Sequence, residues 1–266
     1  MRYVNEEKIS KINLTKTNFY VAIDFDKTIT ASNSEDSWAS SGKLLGEEFK
    51  EKLYELYYKY GPIEQDYKIS FEEKYKAMDE WYYGCMNLYY KYGLTQEKLN
   101  KSIDMSNIIF RKGAQEFLHR MYINNIPVII LSAGIGNVIV KFLKDNNCYY
   151  NNMHIISNFI PFDENGNIKE YEGELIHTLN KTMEGKITPE LAKETDGREY
   201  RLLLGDFVED KKMIPSYEWK NTISVGFLSK KIEENVEVYR QNFDVVLTQE
   251  DATFDVVDEI VLETKI

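Results

Sequence analysis

Two aspartates, Asp24 and Asp26, stand two residues apart at the end of the apolar run Phe19-Tyr20-Val21-Ala22-Ile23. Side chains along a strand repeat every second residue, so both carboxylates are expected to leave the chain on the same side. Carboxylates that close repel unless a cation lies between them or one keeps its proton. An all-oxygen site of this kind suits Mg²⁺. One carboxylate can then be a nucleophile and the other an acid and base. The same spacing also serves two surface acids at a solvated strand end, so the pair needs company. Ser132-Ala133-Gly134 follows a second apolar run and opens a helical segment. Its hydroxyl and backbone N–H groups suit phosphate oxygens, although an ordinary strand-to-helix turn has the same look. Gly205-Asp206-Phe207-Val208-Glu209-Asp210 ends a third apolar run. Asp206 is placed to bind a metal beside Asp24, and Asp210 to hold a lysine or a metal-bound water. Lys181 is a candidate for neutralising a transferring phosphoryl group, with Lys169 and Lys186 as nearby alternatives.

These groups need a frame that gathers strand ends. Strand-like runs at 19–23, 126–132, 154–160, 200–206, 222–228 and 243–248 alternate with helical segments such as 134–147. That order predicts an α/β fold with a parallel sheet and right-handed crossovers. In such a sheet ligands bind beyond the carboxyl ends of the strands, where all the acids named above fall. Between 35 and 110 the texture is helical, with segments at 47–60, 71–92 and 96–110. Phe49, Leu53, Leu56 and Tyr60 recur at helical spacing, Gly61-Pro62 punctuates, and Ser70 with Glu73 resembles a capping box. An all-helical block inserted after the first strand is expected. Glu164-Asn165-Gly166-Asn167 predicts a hairpin turn before 168–171. Residues 1–18 read as a short helix or loose arm, and 182–199 as a surface excursion.

The chain of 266 residues can bury the core of one large domain, or of a core with an insert. Its net charge of −11, without a basic run, argues against nucleic acid polymer or an anionic membrane as partner. Cys85 and Cys148 lack metal-ligand spacing and read as reduced thiols of a cytoplasmic protein. No apolar h-region opens the chain and no long apolar run follows, so neither secretion nor membrane insertion is expected. His119, His154 and His177 share no ligand spacing and are expected to be structural. The Tyr-rich faces at 54–60 and 82–92 are expected inside the helical block, with self-association as the alternative; a monomer or weak oligomer is expected. Trp81, Tyr82 and Tyr83 could stack on a flat ligand or pack within the helical block.

Asp24-Phe25-Asp26-Lys27-Thr28, Ser132, a downstream lysine and Gly205-Asp206…Asp210 together resemble the four motifs of the haloacid dehalogenase-like (HAD) phosphatase superfamily. Phe71-Glu72-Glu73-Lys74-Tyr75, Glu80-Trp81-Tyr82, Ser132-Ala133-Gly134-Ile135-Gly136, Ile156-Ser157-Asn158-Phe159 and Gly173-Glu174-Leu175-Ile176-His177…Asn180-Lys181 are similar to the cytosolic pyrimidine 5′-nucleotidase (type III) family. The resemblance implies a Rossmann-like α/β core at 1–32 and 111–266, and a C1-type helical cap at 33–110. It implies a Mg²⁺-dependent hydrolase of nucleoside 5′-monophosphates such as CMP and UMP. Asp24 would form an aspartyl-phosphate and Asp26 would serve as acid, then base. Ser132, Ala133, Gly134 and Lys181 would hold the phosphate, Lys181 following Asn180 as in the family. Mg²⁺ would sit on the Asp24 carboxylate, the Asp26 backbone carbonyl and Asp206, with Thr28 and Asp210 in support. In the cap, Glu64 falls at the place of a base-contacting glutamate, its alternative being a surface acid. Cys85 stands where family members carry a cap serine, and 31–38 lacks the cysteine pair of eukaryotic members. Alternatives are a phosphatase or phosphotransferase for another small phosphate ester, or a non-catalytic phosphate-binding module.

Overall fold

The computed structural model describes residues 2–64, 66 and 68–261; Met1 and 262–266, the outer limits of the expected core, lie outside the described residues. The chain opens with β1 (Arg2–Val4), α1 (Glu6–Ile9) and β2 (Phe19–Ile23). Four helices follow: α2 (Ser37–Ser41), α3 (Glu47–Glu64), α4 (Phe71–Lys91) and α5 (Gln96–Asp104). Strands and helices then alternate through α6 (Ala114–Ile123), β3 (Val128–Ile135), α7 (Gly136–Asp145), β4 (Met153–Asn158), α8 (Pro189–Thr195) and β5 (Tyr200–Gly205). The chain closes with β6 (Thr222–Leu228), α9 (Ile232–Asn242), β7 (Val245–Thr248) and α10 (Phe254–Val261). The strands form one sheet in the order β1-β7-β6-β5-β2-β3-β4. Every neighbouring pair is parallel except β1 and β7. This is the α/β frame the alternation predicts.

All five residues of β2 are buried, and they divide by parity. Phe19, Val21 and Ile23 join Val128, Ile130, Leu202 and Leu204 in a cluster completed by Phe117, Phe142 and Phe254 from α6, α7 and α10. Tyr20 and Ala22 face the other way, onto Ile129, Leu131, Leu203 and the covering residues Leu191 and Met213. A sheet covered on both faces needs apolar residues at consecutive positions, which is why these strands read as unbroken runs.

Several expectations shift. Residues 2–4 are an antiparallel edge strand on β7, Tyr3 pairing with Val246. Helix α3 runs through Pro62 to Glu64, past the Gly61-Pro62 pair that was expected to punctuate it; Gly61 lacks the Cβ that a following proline ring would crowd. Helix α5 stops at Asp104, because the next residues pair with the chain leaving β2: Ala31 N–H donates to Ile109 O (2.9 Å) and Arg111 N–H to Ile29 O (2.8 Å). Ser70 accepts Glu73 N–H at 3.3 Å and gives its hydroxyl proton to the Glu73 carboxylate at 2.9 Å, a variant of the expected capping box. The hairpin is a single bridge, Phe162 with Ile168, and the 182–199 excursion carries α8. The helical segment docks on the sheet end through Phe49, Tyr82, Met86 and Tyr89, which cluster with Ile135, Val138 and Leu175. No described helix is long and apolar enough to cross a membrane.

Candidate active site

Asp24 is fixed by the sheet. Its N–H donates to Leu204 O of β5 at 3.0 Å, and the residue is buried. The chain then coils through 25–29 with Lys27 in the left-handed region at φ 62°, a conformation that costs a non-glycine about 1–2 kcal/mol. Arg111, on the returning linker, braces this coil. Its Nε donates to Thr28 O (2.8 Å), one Nη to Lys27 O, and the other to Ala252 O (2.9 Å). A rigid fork of donors spread over carbonyls explains a buried arginine without a bonded carboxylate. Burial pulls it down to about 10, and the charge of Asp206 opposes that shift. Thr28 is buried behind the coil, its Oγ1 without a hydrogen-bond partner.

Asp26 is held by Ser37, a residue that no sequence motif marks. Asp26 Oδ1 accepts the N–H of Ser37 at 3.0 Å and Oδ2 its hydroxyl at 2.5 Å. The Ser37 oxygen in turn accepts Ile135 N–H at 3.1 Å, stitching α2 to the end of β3. A Cβ on Gly134 would lie 2.7 Å from Asp26 Oδ2 and run into Ser37 Oγ, so glycine is required there. Ser132 Oγ accepts Gly134 N–H at 3.0 Å, and Ala133 O accepts Trp38 Nε1–H at 3.0 Å. The strand bulges between Leu131 and Ile135, and α7 opens only at Gly136. The Ser132-Ala133-Gly134 crook is therefore a strand end beside Asp26, not a helix N-terminus. Burial, then the charge of Asp36, pushes Asp26 up to about 7, while Ser37 pulls the other way.

Lys181 arrives from an irregular stretch after β4, is 3% exposed, and donates from Nζ to Asp210 Oδ1 at 2.6 Å and to Asp24 Oδ1. Of the three candidate lysines it is the one that reaches Asp24. Burial alone would pull its ammonium down; Asp210 and Asp24 together outweigh that and raise it. The other oxygen of Asp210 accepts Phe207 N–H at 3.0 Å. Asp24, Asp206 and Asp210 each bring a carboxylate oxygen within 4.8 Å of the others. Burial pushes Asp24 up to about 6, against the opposing charge of Lys181 and with that of Asp210. Burial, then Asp24 and Asp210, lifts Asp206 well above the usual carboxylate range. A surplus of negative charge on hard oxygen donors fits a small divalent cation.

Above this floor stands the helical segment. Glu64, at the end of α3, is half-buried, and its carboxyl is pushed up to about 7, by burial first. The Thr178 hydroxyl opposes the shift, and the charges of Glu209, Lys74 and Asp210 all reach it. Cys85 is buried on α4; burial, then Asp36, pushes its thiol up to about 12. Tyr82, one turn earlier, has its phenol raised by burial, then by Glu64, Cys85, Asp26 and Asp24. Its ring stands on the face of α4 that packs on Ile135 and Val138, edge-on to Trp38 at 5.4 Å. Ser37 and Arg111 were invisible in sequence for a physical reason. Asp36 caps α2 by accepting Ala39 N–H at 2.8 Å, so its neighbour reads as an ordinary helix start; Arg111 acts on carbonyls, which carry no side-chain signature.

Comparison with known proteins agrees with this geometry. The model of the family "Pyrimidine 5′-nucleotidase (UMPH-1)" matches residues 18–265. The 7-methylguanosine phosphate-specific 5′-nucleotidase A of Xenopus laevis is 33% identical over 264 residues, 96% of this chain and 91% of the relative. The human 7-methylguanosine phosphate-specific 5′-nucleotidase is 33% identical over 248 residues, 90% of this chain and 82% of the relative. Among solved structures, cytosolic 5′-nucleotidase IIIB bound to cytidine superimposes with a TM-score of 0.78 at 27% identity, covering 97% of this chain and 88% of that one. A substrate-bound phosphoserine phosphatase shares the fold, with a TM-score of 0.59 at 18% identity over 93% of this chain and 100% of that one. The sequence resemblance is borne out: this chain belongs to the pyrimidine 5′-nucleotidase (UMPH-1) family and is a 5′-nucleotidase-type phosphoric monoester hydrolase of HAD fold.

Proposed function

We propose that the protein is a Mg²⁺-dependent phosphatase of nucleoside 5′-monophosphates, with CMP and UMP preferred, working through an aspartyl-phosphate. The observation that carries the reading is the cluster of Asp24, Asp206 and Asp210, the first and last of which hold the buried Lys181, with Asp26 nearby pushed up to about 7. Asp24 attacks phosphorus, and the leaving 5′-oxygen takes the proton of Asp26. Asp26 then accepts a proton from water as that water attacks the aspartyl-phosphate, releasing phosphate and restoring Asp24. Lys181, the Ser132 hydroxyl and the N–H groups of Ala133 and Gly134 hold the phosphoryl oxygens. The carboxylates of Asp24 and Asp206 and the Asp26 carbonyl would hold the ion, with Thr28 and Asp210 as support. Bound there, Mg²⁺ supplies positive charge against the clustered carboxylates and the substrate phosphate.

Residues 33–110 form the cap in this reading, over a core of 1–32 and 111–266. Glu64 and Cys85 read the base. A carboxyl near neutral pKa can donate and accept at once, which matches the N3 acceptor and amino donor of cytosine. Ionised, it accepts only, which suits an amino-bearing purine edge. The relatives' names therefore favour 7-methylguanosine monophosphate as the second substrate to test. Two buried free cysteines support a cytoplasmic setting, as a monomer or weak oligomer. The test is phosphate release, with and without Mg²⁺, from CMP, UMP, dTMP, AMP, GMP, 7-methyl-GMP and sugar phosphates. Selective release from CMP or UMP is expected. Release from sugar phosphates alone would discard the base-reading roles, and no release from any of them would discard the enzyme reading.

A further inference from the structure

His177 was expected to be a structural histidine. It is fully buried in the irregular stretch between β4 and α8, four residues before Lys181. Its Nδ1 accepts Leu179 N–H at 3.1 Å, so the proton of the neutral ring sits on Nε2. Burial pulls the imidazole down to about 4, with Glu174 opposing and Lys212 assisting, which keeps it neutral. Nε2 is buried without an aligned acceptor, yet Asp79 Oδ1 of α4 lies 3.4 Å away. The ring is walled by Tyr75, edge-on at 4.6 Å, and by Tyr82 at 5.9 Å. Tyr75, Asp79 and Tyr82 follow at spacings of four and three, so one face of α4 grips this imidazole. An apolar residue would fill the same space without a buried N–H to satisfy.

The turn that carries His177 leads directly to the catalytic lysine. Asn180 Oδ1 accepts His177 N–H at 2.7 Å, and its Nδ2 donates to Leu175 O at 2.9 Å and to Glu174 Oε1 at 3.1 Å. The face of α4 meets the turn again where Tyr75 donates to Glu174 Oε1 at 3.3 Å and Tyr83 to Gly173 O at 2.8 Å. The next residue, Lys181, donates to Asp24 and Asp210. We propose that His177, clamped by Tyr75, Asp79 and Tyr82, is a positioning residue that makes the placement of Lys181 depend on docking of α4. A helical segment that is not seated releases the turn, and the lysine leaves the aspartates. Only a seated cap then has its phosphate site assembled. The proposal rests on the phosphatase reading for its consequence, though not for its geometry.

The test uses two variants. His177→Phe keeps a planar aromatic ring and removes both ring nitrogens; Asp79→Asn is the second variant because it alters a side chain that is 39% exposed and adds no bulk. The first readout needs no turnover: acetylation of the folded, Mg²⁺-loaded protein by acetic anhydride, with each lysine then read by mass spectrometry of its peptides. In both variants Lys181 is expected to label about threefold faster or more, with remote Lys112 and Lys220 unchanged. The second readout is CMP turnover, where kcat falls about tenfold while KM moves less than about threefold, because Lys181 acts on transition-state charge. Unchanged Lys181 labelling in both variants overturns the proposal, as does a loss confined to KM. Faster Lys181 labelling in a protein with no wild-type phosphatase activity would uphold the clamp and reject the substrate reading instead.

Discussion

Ser37 holds both oxygens of Asp26, one through its N–H at 3.0 Å and the other through its hydroxyl at 2.5 Å. Asp26 cannot turn away from the site without breaking both bonds, and the hydroxyl favours the ionised form. Ser37→Ala removes one bond to a charged group, worth about 1.5–3 kcal/mol. The expected result is a kcat lowered about tenfold and an Asp26 ionisation moved upward, read from the pH dependence of kcat. An unchanged profile would remove Ser37 from the acid–base step.

Gly134 lets the end of β3 approach the pair. In Gly134→Ala the new methyl would stand 2.7 Å from Asp26 Oδ2, so Asp26 and Ser37 must move. A displacement on the order of 1 Å costs about 10²-fold in rate. Loss of kcat by roughly that factor is expected, with a melting temperature changed by only a few degrees, measured by kinetics and thermal melting side by side.

Glu64 makes the stability of the metal-free protein pH-dependent. Its folded pKa is raised, from 4.5 to about 7, so between these values the native state binds more protons than the unfolded chain. Its contribution is fully present below pH 4.5 and is lost as the pH rises through 7. Glu64→Gln should therefore melt higher than wild type at pH 8 and show a flatter profile between pH 5 and 8, where one pKa unit is about 1.4 kcal/mol at most. A variant that tracks wild type at every pH would return Glu64 to the solvated surface.

In the proposed reading the carboxylate cluster ties stability to a divalent ion. Ligand at 100 times its dissociation constant stabilises by about 2.7 kcal/mol. Adding Mg²⁺ is expected to raise the melting temperature and EDTA to reverse it. Asp206→Asn should lose most of that response, since it removes one of three carboxylates within 4.8 Å.

Much of this was legible in the sequence. An apolar run ending on two acids identifies β2 and the Asp24/Asp26 pair, because burial on both faces leaves no other pattern open to a central strand. The alternation of runs and helices yields the parallel sheet. Spacing alone left three lysines open, and only the family resemblance selected Lys181. What stayed hidden depends on distant pairing. Residues 2–4 become a strand only because β7 lies beside them. The apolar residues after Asp104 continue a helical pattern but are captured by the chain leaving β2. Ser37 and His177 gain their roles from contacts with Asp26 and α4 that no local pattern announces.

The most direct measurement is Mg²⁺-dependent phosphate release from CMP by wild type and Asp24→Asn together, with circular dichroism on both. Release by the wild type and none above background from a folded Asp24→Asn is expected, because the asparagine cannot attack phosphorus. Turnover by Asp24→Asn at a rate near that of wild type would contradict the covalent role of Asp24 and the site built around it.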